Sequence, residues 1–172
     1  ALSKSRFKQG LECPNKLYFS NNKQVFHNVK NEDPFLQALA SGGFQVEEYA
    51  RLQYPGGVLI EDPEDRENYD YQDLANQTSE LLKQENVVIY EAAFYINDLF
   101  IRTDVLVKKG THIQLIEVKA KSLDPSEAHN FVGKSKKLVS SWKPYLFDLA
   151  FQTYVTQLCL PSYAITPYLC LV

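Results

Sequence analysis

The sequence has 172 residues, 45% hydrophobic and 23% charged, with a net charge of −3, an ordinary globular composition that excludes a fibrous or fully disordered chain and is long enough to bury a core. Its apolar runs are short, as at residues 87–90, far below the roughly 18 residues of a membrane span, and the opening Ala1-Leu2-Ser3-Lys4-Ser5-Arg6-Phe7-Lys8 lacks an apolar signal core. No membrane partner and a cytoplasmic location are therefore expected.

Residues 3–11 read as a short helix capped by Ser3, with Phe7 and Leu11 one turn apart. Gly10 and Cys13-Pro14 break it, and residues 16–19 read as extended. Pro34 falls in the first turn of the next helix, which runs to Gly42-Gly43; a separate helix covers residues 44–52. Pro55-Gly56-Gly57 is a turn, and residues 61–71 form an acidic, proline-containing loop. Residues 71–84 have helical spacing, with Leu74, Thr78, Leu81 and Leu82 on one side. The period then changes. Residues 87–96, 99–107 and 112–120 are β-branched and aromatic strands, joined by turns at Asn97-Asp98 and residues 108–110, and so form an antiparallel meander. After a lysine-rich stretch, residues 145–158 return to helical spacing, and residues 164–172 read as a last strand. This order predicts an α/β domain, a single one over residues 1–172. The predicted last strand runs up to Val172, so a longer protein continuing past it is also an expectation.

Charge is unevenly spread. Residues 44–91 carry twelve acids against three bases, nine units negative; residues 102–143 carry nine bases against four acids, five units positive. A locally basic half suits a polyanion, with Lys134, Lys136 and Lys137 as candidate nucleic-acid contacts. The plainer reading of the same run is a solvated charged surface. Trp142 would either stack on a base or pack before the last helix. Cys13, Cys159 and Cys170 are too few and scattered for a disulfide framework and read as packing residues. His27, His112 and His129 show no ligand spacing, and His112 reads as a surface residue.

The chemistry concentrates in the second and third predicted strands. Glu117 and Lys119 lie two residues apart and project from one face. Asp104 is a single acid in an apolar strand, and burying an unpaired carboxylate is costly. If the strands pair through the turn, Asp104 falls near Glu117. Two such carboxylates repel unless a cation lies between them. Mg²⁺ accepts one or two carboxylates plus phosphate oxygens and waters, and a neighbouring lysine would orient the attacking water and stabilise phosphate charge. The competing reading is a cross-strand Asp104–Lys119 ion pair with Glu117 at the surface.

Ile116-Glu117-Val118-Lys119, one hairpin after an isolated Asp104, resembles the core of the PD-(D/E)xK nuclease superfamily, and more closely its RecB-like branch, which includes CRISPR-associated exonucleases. The opening through Cys13-Pro14 to Phe19 is similar to that branch's first helix, Cys-Pro and aromatic strand. Gly43-Phe44-Gln45-Val46-Glu47 resembles its glycine-plus-four motif, which often has histidine. Gln152 resembles the glutamine of its following helical motif. The resemblance implies a restriction-endonuclease-like core, a central mixed sheet flanked by helices. It implies a nuclease, exonuclease-like in branch, acting on DNA with Mg²⁺ or Mn²⁺. Asp104 and Glu117 would be metal ligands, with the Val118 carbonyl as a third and Glu47 pointing at the metal directly or through water. Lys119 would position water, and Gln152 would touch substrate or brace Lys119. Glu91 would border the site or pair with Arg102 across the hairpin. The tyrosine that the branch often places four residues after the glutamine is Thr156 here, and Tyr154 reads as a core residue. Some relatives hold an iron-sulfur cluster through four cysteines; Cys13 resembles the first ligand, but Cys159 and Cys170 form no close-spaced set, so no cluster is expected within this chain. The alternative function is an inactive nuclease-fold module that binds nucleic acid or a protein partner.

Overall fold

The computed structural model describes residues 1–22, 24–26, 33–62, 69–124, 131–133 and 135–171. At its centre is the antiparallel meander expected from the two-residue period: β3 (Asn86–Ile96), β4 (Leu99–Lys109) and β5 (His112–Lys119). Asn97 and Asp98 close the first hairpin at φ of 49° and 61°, the left-handed pair whose twist matches the flanking strands. The second hairpin closes at Gly110-Thr111 and not at residues 108–110. Lys109 still pairs with His112, and Gly110, at φ 56°, enters left-handed backbone without a Cβ clash. β6 (Ala164–Leu171) runs parallel to β5, from His112↔Ala164 to Lys119↔Leu171.

Two short strands complete the sheet. β1 (Leu2–Ser3) lies parallel to β4 at Leu99 and Phe100, and β2 (Val58–Leu59) parallel to β3 at Ile89 and Tyr90. Neither is legible in the sequence, because two residues carry no periodicity. β5 pairs only with Val105–Lys109 of β4, which leaves the start of β4 free on that side for β1. The result is a mixed six-stranded sheet in the order β2-β3-β4-β5-β6, with β1 joined to β4.

Helices cover both faces. α1 (Lys4–Glu12) is capped by Ser3, whose Oγ accepts from the Arg6 N–H at 3.3 Å. α2 (Pro14–Asn21) replaces the extended segment expected at residues 16–19. Cys13, at φ −165° and ψ 117°, ends α1 and begins α2; Pro14 is at home in a first turn, where its missing N–H costs nothing. α3 (Pro34–Arg51) is continuous through Gly42-Gly43, where a break was expected. Two glycines weaken a helix by about 1 kcal/mol each, which the packing of its C-terminal end offsets. α4 (Tyr71–Leu81) starts at Asp70, which accepts from the N–H groups of Gln72 and Asp73. α5 (Lys143–Cys159) is buried along Leu149, Gln152, Val155 and Thr156.

One core cluster joins Leu74 of α4, Phe151 and Val155 of α5, and Ile89, Ile101, Leu106 and Ile113 of the sheet, with Phe7 of α1 against it. The other joins Ala50 of α3 to Val105, Val107, Ile116 and Val118. Alternation along β4 feeds both faces. The chain is thus α/β, a mixed sheet flanked by helices. Among the described residues no helix is long and apolar enough to cross a membrane.

Candidate functional site

The β4–β5 register places Val105 opposite Ile116, so the next residues outward, Asp104 and Glu117, face each other. Asp104 is 6% exposed and Glu117 is fully buried. That overturns the reading that left Glu117 at the surface. The Val118 N–H donates to Asp104 Oδ2 at 2.7 Å, so a side chain takes over where the backbone ladder stops. Lys119 pairs with Glu117 and lies 3.5 Å from Asp148 Oδ2, which replaces the cross-strand Asp104–Lys119 pair.

Two residues without a signal in the sequence complete the cluster. Lys4, the first residue of α1, places its Nζ 3.4 Å from Asp104 Oδ1 and 3.2 Å from both carboxylate oxygens of Glu117. The short parallel pairing of Leu2 and Ser3 with β4, together with the Ser3 cap, aims it there. Asp148 on α5 is a third buried carboxylate, with Lys8 Nζ 3.7 Å from its Oδ2. Gln152, one turn further, donates through Nε2 to Glu117 Oε2 at 2.6 Å and to Asp148 Oδ1 at 3.4 Å. It is fully buried, so it braces the two carboxylates, where contact with Lys119 or substrate was expected.

These environments push the acids apart. Burial raises Asp104 to about 7, against the pull of Lys4. Burial would also raise Glu117, but Lys4 and then Lys119 hold it down at about 2. Burial raises Asp148, as does the nearby Glu117. For Lys4, burial favours the neutral form, but Glu117, Asp104 and Asp148 outweigh it and raise its pKa. Lys119 is likewise raised, chiefly by Glu117 acting against burial. Neighbouring carboxylates driven in opposite directions are a recurring mark of functional sites.

Asp104 and Lys4 open onto a cavity of about 440 Å³ whose lining includes Glu47, Glu91, Arg51 and Arg102. Glu47 lies on α3 and its pKa is raised by burial and then by Glu91. Glu91 is both site-adjacent and paired: its carboxylate lies 3.5 Å from Arg102 Nε and 3.4 Å from Arg51 Nη2. Its φ is 56°, and the β3–β4 ladder passes from Tyr90↔Val105 to Ala92↔Thr103 without it. A left-handed residue other than glycine, asparagine or aspartate costs of order 1 kcal/mol and often lies beside a site.

The outer candidates fare differently. Lys136 and Lys137 are exposed beside the Val132↔Leu138 bridge; Lys134, His27 and His129 lie outside the described residues. The basic half is partly used internally: Arg102 bonds Asp62, the Ile60 carbonyl and Glu91, and Lys108 is buried. Lys121 lies 4.7 Å from the ring centre of Trp142, which also packs edge-on against Phe131, as a packing residue would. Tyr154 is 58% exposed and not in the core, because it lies on the outer side of α5, away from Phe151 and Val155. Thr156 is fully buried. Cys13, Cys159 and Cys170 are free thiols, and His112 is exposed at the head of β5.

Asp104 and Glu117 offer hard oxygen donors beside the ammonium groups of Lys4 and Lys119, the donor type that a divalent cation of the Mg²⁺ class accepts. Among the described residues no three His, Cys, Asp or Glu side chains converge as a metal-ligand set, so water and substrate oxygens would have to fill most of the shell. No family model matches the chain, and neither a curated protein nor a solved structure matches it.

Proposed function

We propose that the protein is a divalent-metal-dependent nuclease with a restriction-endonuclease-like core of the PD-(D/E)xK type, hydrolysing DNA phosphodiester bonds. The observation that carries this reading is the apposition of Asp104 and Glu117, both withdrawn from water and sharing the Lys4 ammonium, with Lys119 two residues along the same strand. An ammonium between two carboxylates is where a divalent cation would fit, and the hard donors suit Mg²⁺ or Mn²⁺. Asp104 and Glu117 would hold the ion. The Val118 carbonyl, which leaves an extended strand on the same side as the N–H given to Asp104, would add a third oxygen. Bound there, the ion would supply charge for the phosphate and an acidified water.

Lys119 would orient that water and stabilise charge on the phosphate. Gln152 would keep Glu117 aimed at the ion, the role of a group hydrogen-bonded behind a ligand. Glu47, across the cavity, would contact the ion through water. DNA would approach over the cavity and the exposed Lys136 and Lys137. One domain and a cytoplasmic location belong to the same reading.

Calorimetric Mn²⁺ titration and cleavage of labelled DNA test it. Asp104→Ala and Glu117→Ala should each remain folded and lose both Mn²⁺ binding and cleavage. Wild-type Mn²⁺ affinity in either variant would refute the assignment. A second reading, an inactive module that binds nucleic acid or a protein, draws on the Lys4 ammonium, which neutralises the carboxylates without any metal. It moves ahead if wild type binds DNA but neither binds Mn²⁺ nor cleaves.

A further inference from the structure

We propose that Lys4 is a built-in counter-ion that competes with the divalent cation for Asp104 and Glu117 and thereby sets the affinity of the site. This rests on the nuclease reading above and adds a control to it. The ammonium stands 3.4 Å from one carboxylate and 3.2 Å from the other, so a cation bridging both has to displace it. It also stands at the entrance, since Lys4 and Asp104 line the cavity while Glu117 is fully buried behind them.

Charge decides that the two cations exclude each other. Asp104, Glu117 and Asp148 bring three negative charges; Lys4, Lys119 and Lys8 bring three positive ones, so the cluster is neutral with no metal. A divalent ion added to that set would leave two uncompensated positive charges in a poorly solvated place, which is costly. With Lys4 gone from the bridge the excess falls to one, which a phosphate oxygen of the substrate would meet.

Lys4 has somewhere to go. Its side chain is 24% exposed, and the same cavity presents Glu47, Glu61, Asp62 and Glu91. A lysine has a flexible four-carbon stem and no fixed fork geometry to lose, so rotation about its side-chain bonds exchanges one set of carboxylates for another. Backbone movement is not required: Ser3 caps α1 and Leu2–Ser3 pairs with β4, which keeps the Cα of Lys4 in place.

The test is Mn²⁺ titration calorimetry on the whole chain as wild type, Lys4→Met and Lys4→Arg, with thermal melts with and without Mn²⁺. Lys4→Met should bind Mn²⁺ about tenfold more tightly or better, a modest share of the repulsion between charges at this distance. Without metal it should melt below wild type, and saturating Mn²⁺ should raise its Tm by more than it raises that of wild type. Lys4→Arg, which keeps the charge, should stay near wild-type affinity. If Lys4→Met fails to fold even with Mn²⁺, Lys4→Gln replaces it, with the same tightening expected. Wild-type or weaker affinity in the neutral variant, with Glu117→Ala unable to bind, overturns the competition and leaves the nuclease reading standing. No Mn²⁺ binding in wild type or in the neutral variant overturns both.

Discussion

Lys108 and Lys119 sit at opposite ends of the meander, are both largely withdrawn from water, and keep very different company. Lys108, 5% exposed, donates to the carbonyls of Gln84 at 2.5 Å and Glu85 at 3.1 Å, just past the C-terminal end of α4, with the Tyr163 ring centre 5.7 Å away. Its partners are neutral dipoles, and a helix C-terminus favours a cation. Lys119 meets the full charges of Glu117 and Asp148, with Asp104 and a second ammonium close by. A buried lysine is thus no mark of a site by itself. What separates the two ends is a group of neighbouring carboxylates that draws positive charge from more than one lysine.

That contrast breaks most sharply by removing each lysine in turn. Lys119→Ala should lower DNA cleavage roughly a hundredfold or more, the scale for one positioned electrostatic group, while Mn²⁺ binds at least as well as in wild type. Lys108→Ala should leave cleavage per folded molecule and Mn²⁺ affinity unchanged, and should cost about 1–3 kcal/mol in denaturant unfolding because the charged hydrogen bonds to the Gln84 and Glu85 carbonyls are lost. Equal losses of cleavage in the two variants would erase the distinction. Gln152→Leu sharpens it further: Mn²⁺ affinity should fall about ten- to a hundredfold, as when a group that orients a ligand is removed, and calorimetry with unchanged affinity would reduce Gln152 to packing. The smallest effect belongs to the surface. Changing Lys136 and Lys137 together to Glu should lower the salt slope of DNA binding, measured with Ca²⁺, by about one unit for each lysine–phosphate ion pair removed, with Mn²⁺ affinity unchanged. A wild-type slope would make them solvated charges only.

The parts of the fold that were legible share one property: their signal is local. The meander showed because three runs of β-branched and aromatic residues alternate between short turns, and strand period put Glu117 and Lys119 on one face, with Asp104 joining them only on the condition that the two strands pair. Lys4 and Asp148 did not show. Lys4 meets Asp104 across 100 residues of sequence, and a lysine in the first turn of a polar helix reads as a solvated face until β1 fixes where that helix starts. Asp148 lies among apolar residues of α5, where only the packing of that helix on β3, β4 and β6 turns it toward Glu117. Cys13-Pro14 misled for a different reason. The same pair that stops one helix starts another, so a stop signal concealed α2. At Gly42-Gly43, local propensity argued for a break and lost to the length and packing of α3. The charge split between the two halves also dissolved on folding, since Arg102 from the basic half closes on Asp62 and Glu91 from the acidic one.

Gly110 contributes no side chain and stands six residues from Asp104 and seven from Glu117, about 20 Å off along the strands. Even so, it acts as the index mark of the β4–β5 hairpin. A two-residue turn with glycine first at positive φ admits one alignment of its strands. Because side chains alternate, an offset of one residue would send Glu117 to the far face and leave Asp104 opposite an apolar neighbour. The space around Gly110 is open, so a larger residue would not clash there; it would hold the left-handed backbone at a cost of order 1 kcal/mol, as Glu91 does at the same φ, and so weaken the turn that sets the count. The alignment of the two carboxylates is therefore a whole number, set at the end of the molecule away from them, and it can be lost in one step but not by degrees.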